Sequence, residues 1–210
     1  MIEIYTATES YQRAGEDRVA VIDHPAGRVI VVADGVGGRR NGGPAADAIV
    51  RIVTEAAGRM ADVCDGDVWA EVLADADGRI CSDTKCGETT AVIVGVSRDR
   101  IEGSSVGDSG AWLITRDSYT DLTRVQQRKP FLGSGAALPI PFRAKLTDPG
   151  DVLLVATDGL LKYTTPQQIS RVARSSELAT VPQALIDLVR MPSGGLQDDV
   201  TVAVARFGVE

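Results

Sequence analysis

The chain has little histidine, cysteine or aromatic character, and each shortage argues against a class of function. Its single histidine, His24, lies in a turn-like DHPAG segment. It reads as an exposed turn residue and gives scant support to a serine triad or a histidine general acid. The three cysteines, Cys64, Cys81 and Cys86, are odd in number and lack C-x-x-C spacing, which argues against a zinc or dithiol site and fits a reducing cytosol. Aromatic residues make up 4% of the chain and the net charge is -7. Nucleic acid, which needs a basic surface and stacking rings, is therefore not an expected partner. No apolar run approaches the ~20 residues of a membrane span, and MIEIYTATESYQRAGEDR lacks the basic-then-apolar order of a signal peptide. A cytoplasmic protein without membrane contact is expected.

What is present fits one domain over residues 1–210. A chain of this length buries roughly 70% of its unfolded surface, so no disulfide or structural metal is needed and any metal can be catalytic. Beta-branched runs predict strands at 19–22, 29–33, 90–96, 101–106, 111–115, 152–156 and 200–207. Helical spacing links Ala45, Ile49, Val53, Ala56 and Met60, and again Val68, Val72, Ala76 and Ile80. Thr165 and Thr180 each precede an early proline, with Gln168 and Gln183 three residues on, and so predict two capped helices. This order is not strict strand–helix alternation and points to α+β architecture with mainly antiparallel sheets. Residues 124–145 carry prolines and glycines without periodicity and read as an irregular loop.

Three apolar strands end at or begin beside carboxylates: VIVVADGVGG at Asp34, DVLLVATDGLL at Asp158, and LQDDVTVAVARF with Asp198 and Asp199. One Asp-Gly pair is ordinarily a turn. Several at strand ends would converge, and carboxylates that converge repel one another unless a cation neutralises them. Mg²⁺ and Mn²⁺ take oxygen ligands and keep several waters, so a few aspartates and a glycine carbonyl suffice. Two other motifs lead elsewhere. Ser109 in GDSG lacks the G-x-S-x-G elbow, and Asp75-Ala76-Asp77-Gly78 lacks the closing glutamate of a calcium loop and reads as a helix end.

Six segments in order, RAGEDRVAVI, VVADGVGGRRNGGPAA, CGETTAVIVGV, SSVGDSGAWLI, LLVATDGLL and DDVTVAVARF, resemble the metal-dependent protein phosphatases, the type 2C serine/threonine family, in a short bacterial-type form. The resemblance implies a four-layer α-β-β-α sandwich of two mainly antiparallel sheets flanked by helices, with the metals in a cleft at one end. It implies that Asp34 bridges two Mn²⁺ or Mg²⁺ ions, Gly35 binds through its carbonyl, and Asp158 and Asp198 hold one ion. Glu16 and Asp17 would support the site. Asp108 matches a position that helps hold a third, weaker ion. Asp199 stands where asparagine is usual and reads as a supporting group, an exchange of roles with Asp198 being open.

The implied activity is hydrolysis of phosphoserine and phosphothreonine by a water bridging the two ions, since phosphomonoesters demand accelerations of up to ~10²¹-fold. The expected partner is a phosphorylated protein, with a serine/threonine kinase or its targets as a further possibility. Arg13 is the candidate grip on the phosphoryl group, although it lies three residues before Glu16 rather than four and reads equally as a solvated charge. Gly110 replaces an arginine, which should loosen local packing, and Lys162 stands where a further aspartate is common. Arg39 and Arg40 read either as a landing point for an acidic phosphopeptide or as solvated charges. These departures keep a second reading open, an inactive phosphatase-like module that binds a regulatory partner.

Overall fold

The computed structural model describes residues 2–11, 15–36, 41–146, 148 and 150–208. The strands are β1 (Ile2–Glu9), β2 (Asp17–His24), β3 (Gly27–Asp34), β4 (Ala91–Val96), β5 (Arg100–Val106), β6 (Gly110–Ile114), β7 (Tyr119–Asp121), β8 (Ile140–Lys145), β9 (Val152–Ala156) and β10 (Val200–Phe207). The helices are α1 (Gly42–Ala57), α2 (Gly66–Ser82), α3 (Asp158–Leu161), α4 (Pro166–Ala173) and α5 (Val181–Asp187).

Two five-stranded sheets result, in the orders β1-β10-β9-β6-β7 and β2-β3-β4-β5-β8, and the pairings are antiparallel throughout. β3 shows why its sequence is apolar without a break. Ile30 and Val32 point into the core between the sheets, with Val92, Leu153 and Val155. Val29, Val31 and Ala33 point the other way, into a second core with Ile49, Ile52 and Trp69 of α1 and α2. A strand buried on both faces cannot alternate with polar residues. β9 repeats the arrangement, with Val152 and Leu154 meeting Ile169, Leu185 and Ile186 on the outer side. Each such side chain, once buried, stabilises the fold by about 1.5–3 kcal/mol relative to exposure. The fold is thus the expected four-layer α-β-β-α sandwich. No helix among the described residues is long and apolar enough to cross a membrane.

Four local expectations need revision. β8 lies inside the stretch read as an irregular loop, pairing with β5 from Arg100↔Lys145 to Ser105↔Ile140. β1 was not expected as a strand, and it joins the two ends of the chain by pairing with β10. Thr165 forms its capping box with Gln168, whereas Thr180 does not cap α5, because it closes a 3-10 turn over Leu178–Thr180 and its hydroxyl donates to the Glu177 carbonyl at 2.9 Å. The segment 75–78 is not a helix end but lies within α2, where buried Asp77 accepts the backbone N–H groups of Gly133 (2.7 Å), Gly135 (3.1 Å) and Ala137 (3.0 Å).

Candidate metal centre

The site is assembled at the end of the sandwich where β2 and β3 approach the ends of β9 and β10. Asp17 opens β2, Asp34 closes β3, and the register places them directly opposite each other. Two like charges so placed destabilise a sheet unless something neutralises them. Asp158 follows β9 as the first residue of α3, and Asp198 lies just before β10. Thr157 brackets the two sheets: its hydroxyl donates to Asp17 Oδ2 at 2.9 Å and accepts the Thr201 N–H at 2.9 Å. Asp34 is held through its backbone, its N–H donating to Thr90 Oγ1 at 3.0 Å while its carbonyl accepts from Thr90 N (2.8 Å) and Thr89 Oγ1 (2.9 Å). Its carboxylate is left to face the cleft.

Gly35 is required on steric grounds, since a side chain there would collide with the backbone of Gly42 at the start of α1. Gly159 is required likewise, because a side chain would strike the Asp199 carbonyl. These close approaches draw the loop carrying Asp34 onto α1 and the loop carrying Asp158 onto the Asp198 segment. Glu16, Asp34, Asp108, Asp158, Asp198 and Asp199, together with Gly35, line one cavity of about 220 Å³.

The electrostatics follow from that crowding. Burial first, then the charges of Asp17, Asp158, Asp198 and Asp108, push Asp34 up to about 10. Burial above all pushes Asp17 up to about 7, against the hydrogen bonds from Thr157 and Thr201 and with the charge of Asp199 adding to it. Asp158 is raised by burial and then by Asp108 and Asp198. One further atom is unsatisfied: Asp17 Oδ1 is buried without a hydrogen-bond partner. Oxygen donors of one sign, short of positive charge, fit a hard divalent cation. Among the described residues no three donor side chains stand as a ready-made cage, so the fit is to ions that keep much of their water, as Mg²⁺ does.

Comparison with known proteins places this arrangement. The family model for stage II sporulation protein E (SpoIIE) matches residues 25–208. The chain belongs to the SpoIIE family. No curated protein matches it by sequence. Among solved structures, the SpoIIE-family chain is similar to a bacterial serine phosphatase, with a TM-score of 0.86 and 18% identity over 100% of both chains. It is similar to a serine/threonine phosphatase of S. agalactiae, with a TM-score of 0.82 and 23% identity over 100% of both. It also matches the catalytic domain of the serine/threonine phosphatase PstP, solved in complex with two manganese ions, with a TM-score of 0.80 and 19% identity over 99% of each. At these identities the likeness establishes the fold, that of the type 2C phosphatases expected from the motifs.

Within this SpoIIE-family chain the remaining expected residues fall as follows. Asp199 accepts the N–H groups of Tyr11 (2.7 Å) and Glu16 (2.6 Å), and its own N–H donates to Asp198 Oδ1 at 3.1 Å. It therefore ties the segment around Glu16 to the Asp198 loop. Asp108 lines the cleft but is ion-paired with Arg128 at 2.7 Å. Arg13, Arg39 and Arg40 lie outside the described residues. At Gly110 a Cβ would meet Leu161 Cδ1 at 2.8 Å, the far end of a side chain that can turn away, and the residue borders the groove that Asp108 and Asp158 also line. Ser109 is fully buried, with its hydroxyl 2.7 Å from that of Thr90. His24 lies at the far end of β2, about 20 Å along the strand from Asp17. Its Nδ1 accepts the Ala26 N–H and its Nε2 is turned to the Met60 carbonyl. Among the described residues His24 is engaged by backbone groups and forms no serine–histidine site. Sequence reasoning missed Thr157, Asp77 and Arg128. Nothing in the local pattern marks Thr157, Asp77 stands out only within the calcium-loop-like segment 75–78, and Arg128 only as one basic residue of QQRKPF.

Proposed function

We propose that this chain, acting as one domain over residues 1–210, is a metal-dependent protein serine/threonine phosphatase that hydrolyses phosphoserine and phosphothreonine in protein partners. One observation carries the reading. Carboxylates from separate chain segments share one cleft in which Asp34 is held far above the usual carboxylate range, with buried Asp17, also raised, opposite it on the neighbouring strand. Keeping so much repulsion costs stability, and such sites are characteristic of function.

Asp34, the Gly35 carbonyl, Asp158 and Asp198 are the groups that would hold two Mn²⁺ or Mg²⁺ ions, with Glu16, Asp17 and Asp199 in support. Bound there, the ions would supply a water acidic enough to attack phosphorus near neutral pH and would offset charge in the transition state. The chain's part is orientation. Thr89 and Thr90 fix the Asp34 backbone, Thr157 fixes Asp17 Oδ2, and Asp199 fixes the approach of Glu16. Arg13 is proposed to grip the phosphoryl group through its planar fork. Purified protein with Mn²⁺ should hydrolyse a phosphothreonine peptide and an aryl phosphate, and a chelator should abolish both. No turnover across a range of metal and pH sinks the reading.

The displaced Arg13, and Lys162 standing where a further aspartate is common, motivate a second reading, a module that keeps the sandwich to bind a regulatory partner without turnover. Calorimetric titration separates them: two-site micromolar Mn²⁺ binding supports the enzyme, and absence of binding supports the module.

A further inference from the structure

We propose that Arg128 is a built-in counter-cation that withdraws Asp108 from the metal centre, so that this chain takes two divalent ions and no third. The inference rests on the phosphatase reading for the two ions but makes a separate claim about the chain's own residues.

Asp108 follows β5, in the loop before β6, and its charge reaches both Asp34 and Asp158. It lies in the mouth of the cleft with 18% of its side chain exposed. The guanidinium of Arg128 donates from Nη2 at 2.7 Å and from Nε at 3.3 Å to Asp108 Oδ2. Among the described residues, the ion pairs found leave Asp34, Asp158 and Asp198 without a basic partner and give one to Asp108. The loop that delivers Arg128 is itself fixed: Gln126 Nε2 donates to the Ser109 carbonyl at 2.6 Å, and Asp121 Oδ1 accepts from both N and Oγ1 of Thr123. Gln126, two residues before Arg128, is thus tied to the residue next to Asp108 in sequence.

A second cation stands on the other side. Lys162 follows α3, its N–H donating to the Asp158 carbonyl at 2.8 Å, and shares with Asp108, Arg128 and Asp158 a groove of about 360 Å³ beside the metal cleft. Lys162 occupies a position where a carboxylate would help a third ion and contributes the opposite charge instead. A cation entering between Asp108 and Asp158 would have to displace one guanidinium and approach an ammonium. Lys162 is exposed, with its ammonium over the Tyr163 ring at 5.1 Å, so its repulsion is screened by water and the loss of the Asp108 ligand atom to Arg128 is the larger effect.

Although Arg128 is exposed and its pair with Asp108 is worth little to stability in water, it competes directly for the ligand atom. Mn²⁺ titrations by calorimetry on the wild type, Arg128→Ala and Arg128→Ala/Asp108→Asn therefore test the proposal, with Arg128→Gln as a second probe should the alanine variant unfold. The expected stoichiometries are two, three and two, the added site in Arg128→Ala being at least ~10-fold tighter than any residual third binding to the wild type. Three ions on the wild type, two on both Arg128 variants, or a third ion that survives loss of Asp108 each overturn it. Two ions on every protein would sink this proposal and leave the phosphatase reading standing, whereas no binding to any would sink both.

Discussion

Asp77 and the Asp17–Asp34 pair are both drawn out of water, but they meet opposite surroundings. Asp77 sits in α2 and is surrounded by backbone N–H groups of Gly133, Gly135 and Ala137. It pins the loop that follows Leu132, and Leu132 in turn pairs with Thr89 beside the Asp34 loop. Asp17 and Asp34 face each other across two strands with further carboxylates in front of them. The first carboxylate is satisfied by the chain. The second pair is satisfied only in part, leaving Asp17 Oδ1 without a partner. Burial alone therefore does not distinguish a structural aspartate from a functional one; the supply of donors does.

The contrast is tested most severely by alanine substitution at both places. Asp34→Ala should reduce turnover by more than about 10³-fold, the scale on which a group stabilising transition-state charge acts, while the ion-free protein melts no lower than the wild type. A sharp fall in its melting temperature would show that Asp34 is structural after all. Asp77→Ala should do the reverse. It leaves the buried Gly133 N–H and the part-buried N–H groups of Gly135 and Ala137 without their charged acceptor and should cost on the order of 2–3 kcal/mol, read as a drop of roughly 5–10 °C in melting temperature. Asp77→Asn, which keeps one acceptor oxygen, should recover part of this.

The pH dependence of the ion-free protein sharpens the same comparison. Asp17 and Asp34 have folded-state values raised to about 7 and about 10 from an ordinary value of 3.8. The folded chain therefore holds protons that the unfolded chain has released, and stability falls as pH rises through this window. Between pH 5.5 and 8 the loss should be on the order of 3 kcal/mol, or roughly 5–10 °C in a chelator-containing melt. Added Mn²⁺ should cancel most of it, because bound cations favour the ionised forms. A flat or rising profile without metal would contradict the electrostatic picture. The smallest effect is expected at Asp199→Asn. One side-chain oxygen still accepts there, so turnover should change only a few-fold if Asp199 acts by holding Glu16 and Tyr11, and far more if it is itself a ligand.

Much of the fold was legible because local pattern and long-range packing agree. The unbroken apolar run of β3 and the stripes of α1 and α2 point to the cores they fill. The carboxylates were legible because each borders an apolar strand run, although they come from both sheets and meet only where the two sheets stack. β1 and β8 were not legible. β1 is a strand because its partner lies almost two hundred residues away, and β8 is an edge strand with prolines at and near its start, where ladder bonds can be spared. The roles of Thr157, Asp77 and Arg128 were hidden for a related reason. Each depends on a partner brought close only by tertiary packing, 140 residues away for Thr157 and Asp17.

Anomalous scattering from a crystal soaked in Mn²⁺ tests the central claim most directly. Two peaks in the cleft, contacted by Asp34, the Gly35 carbonyl, Asp158 and Asp198, with Asp108 still on Arg128, are the predicted result. An empty cleft at saturating Mn²⁺, or ions bound only to acidic residues elsewhere on the surface, would contradict the account.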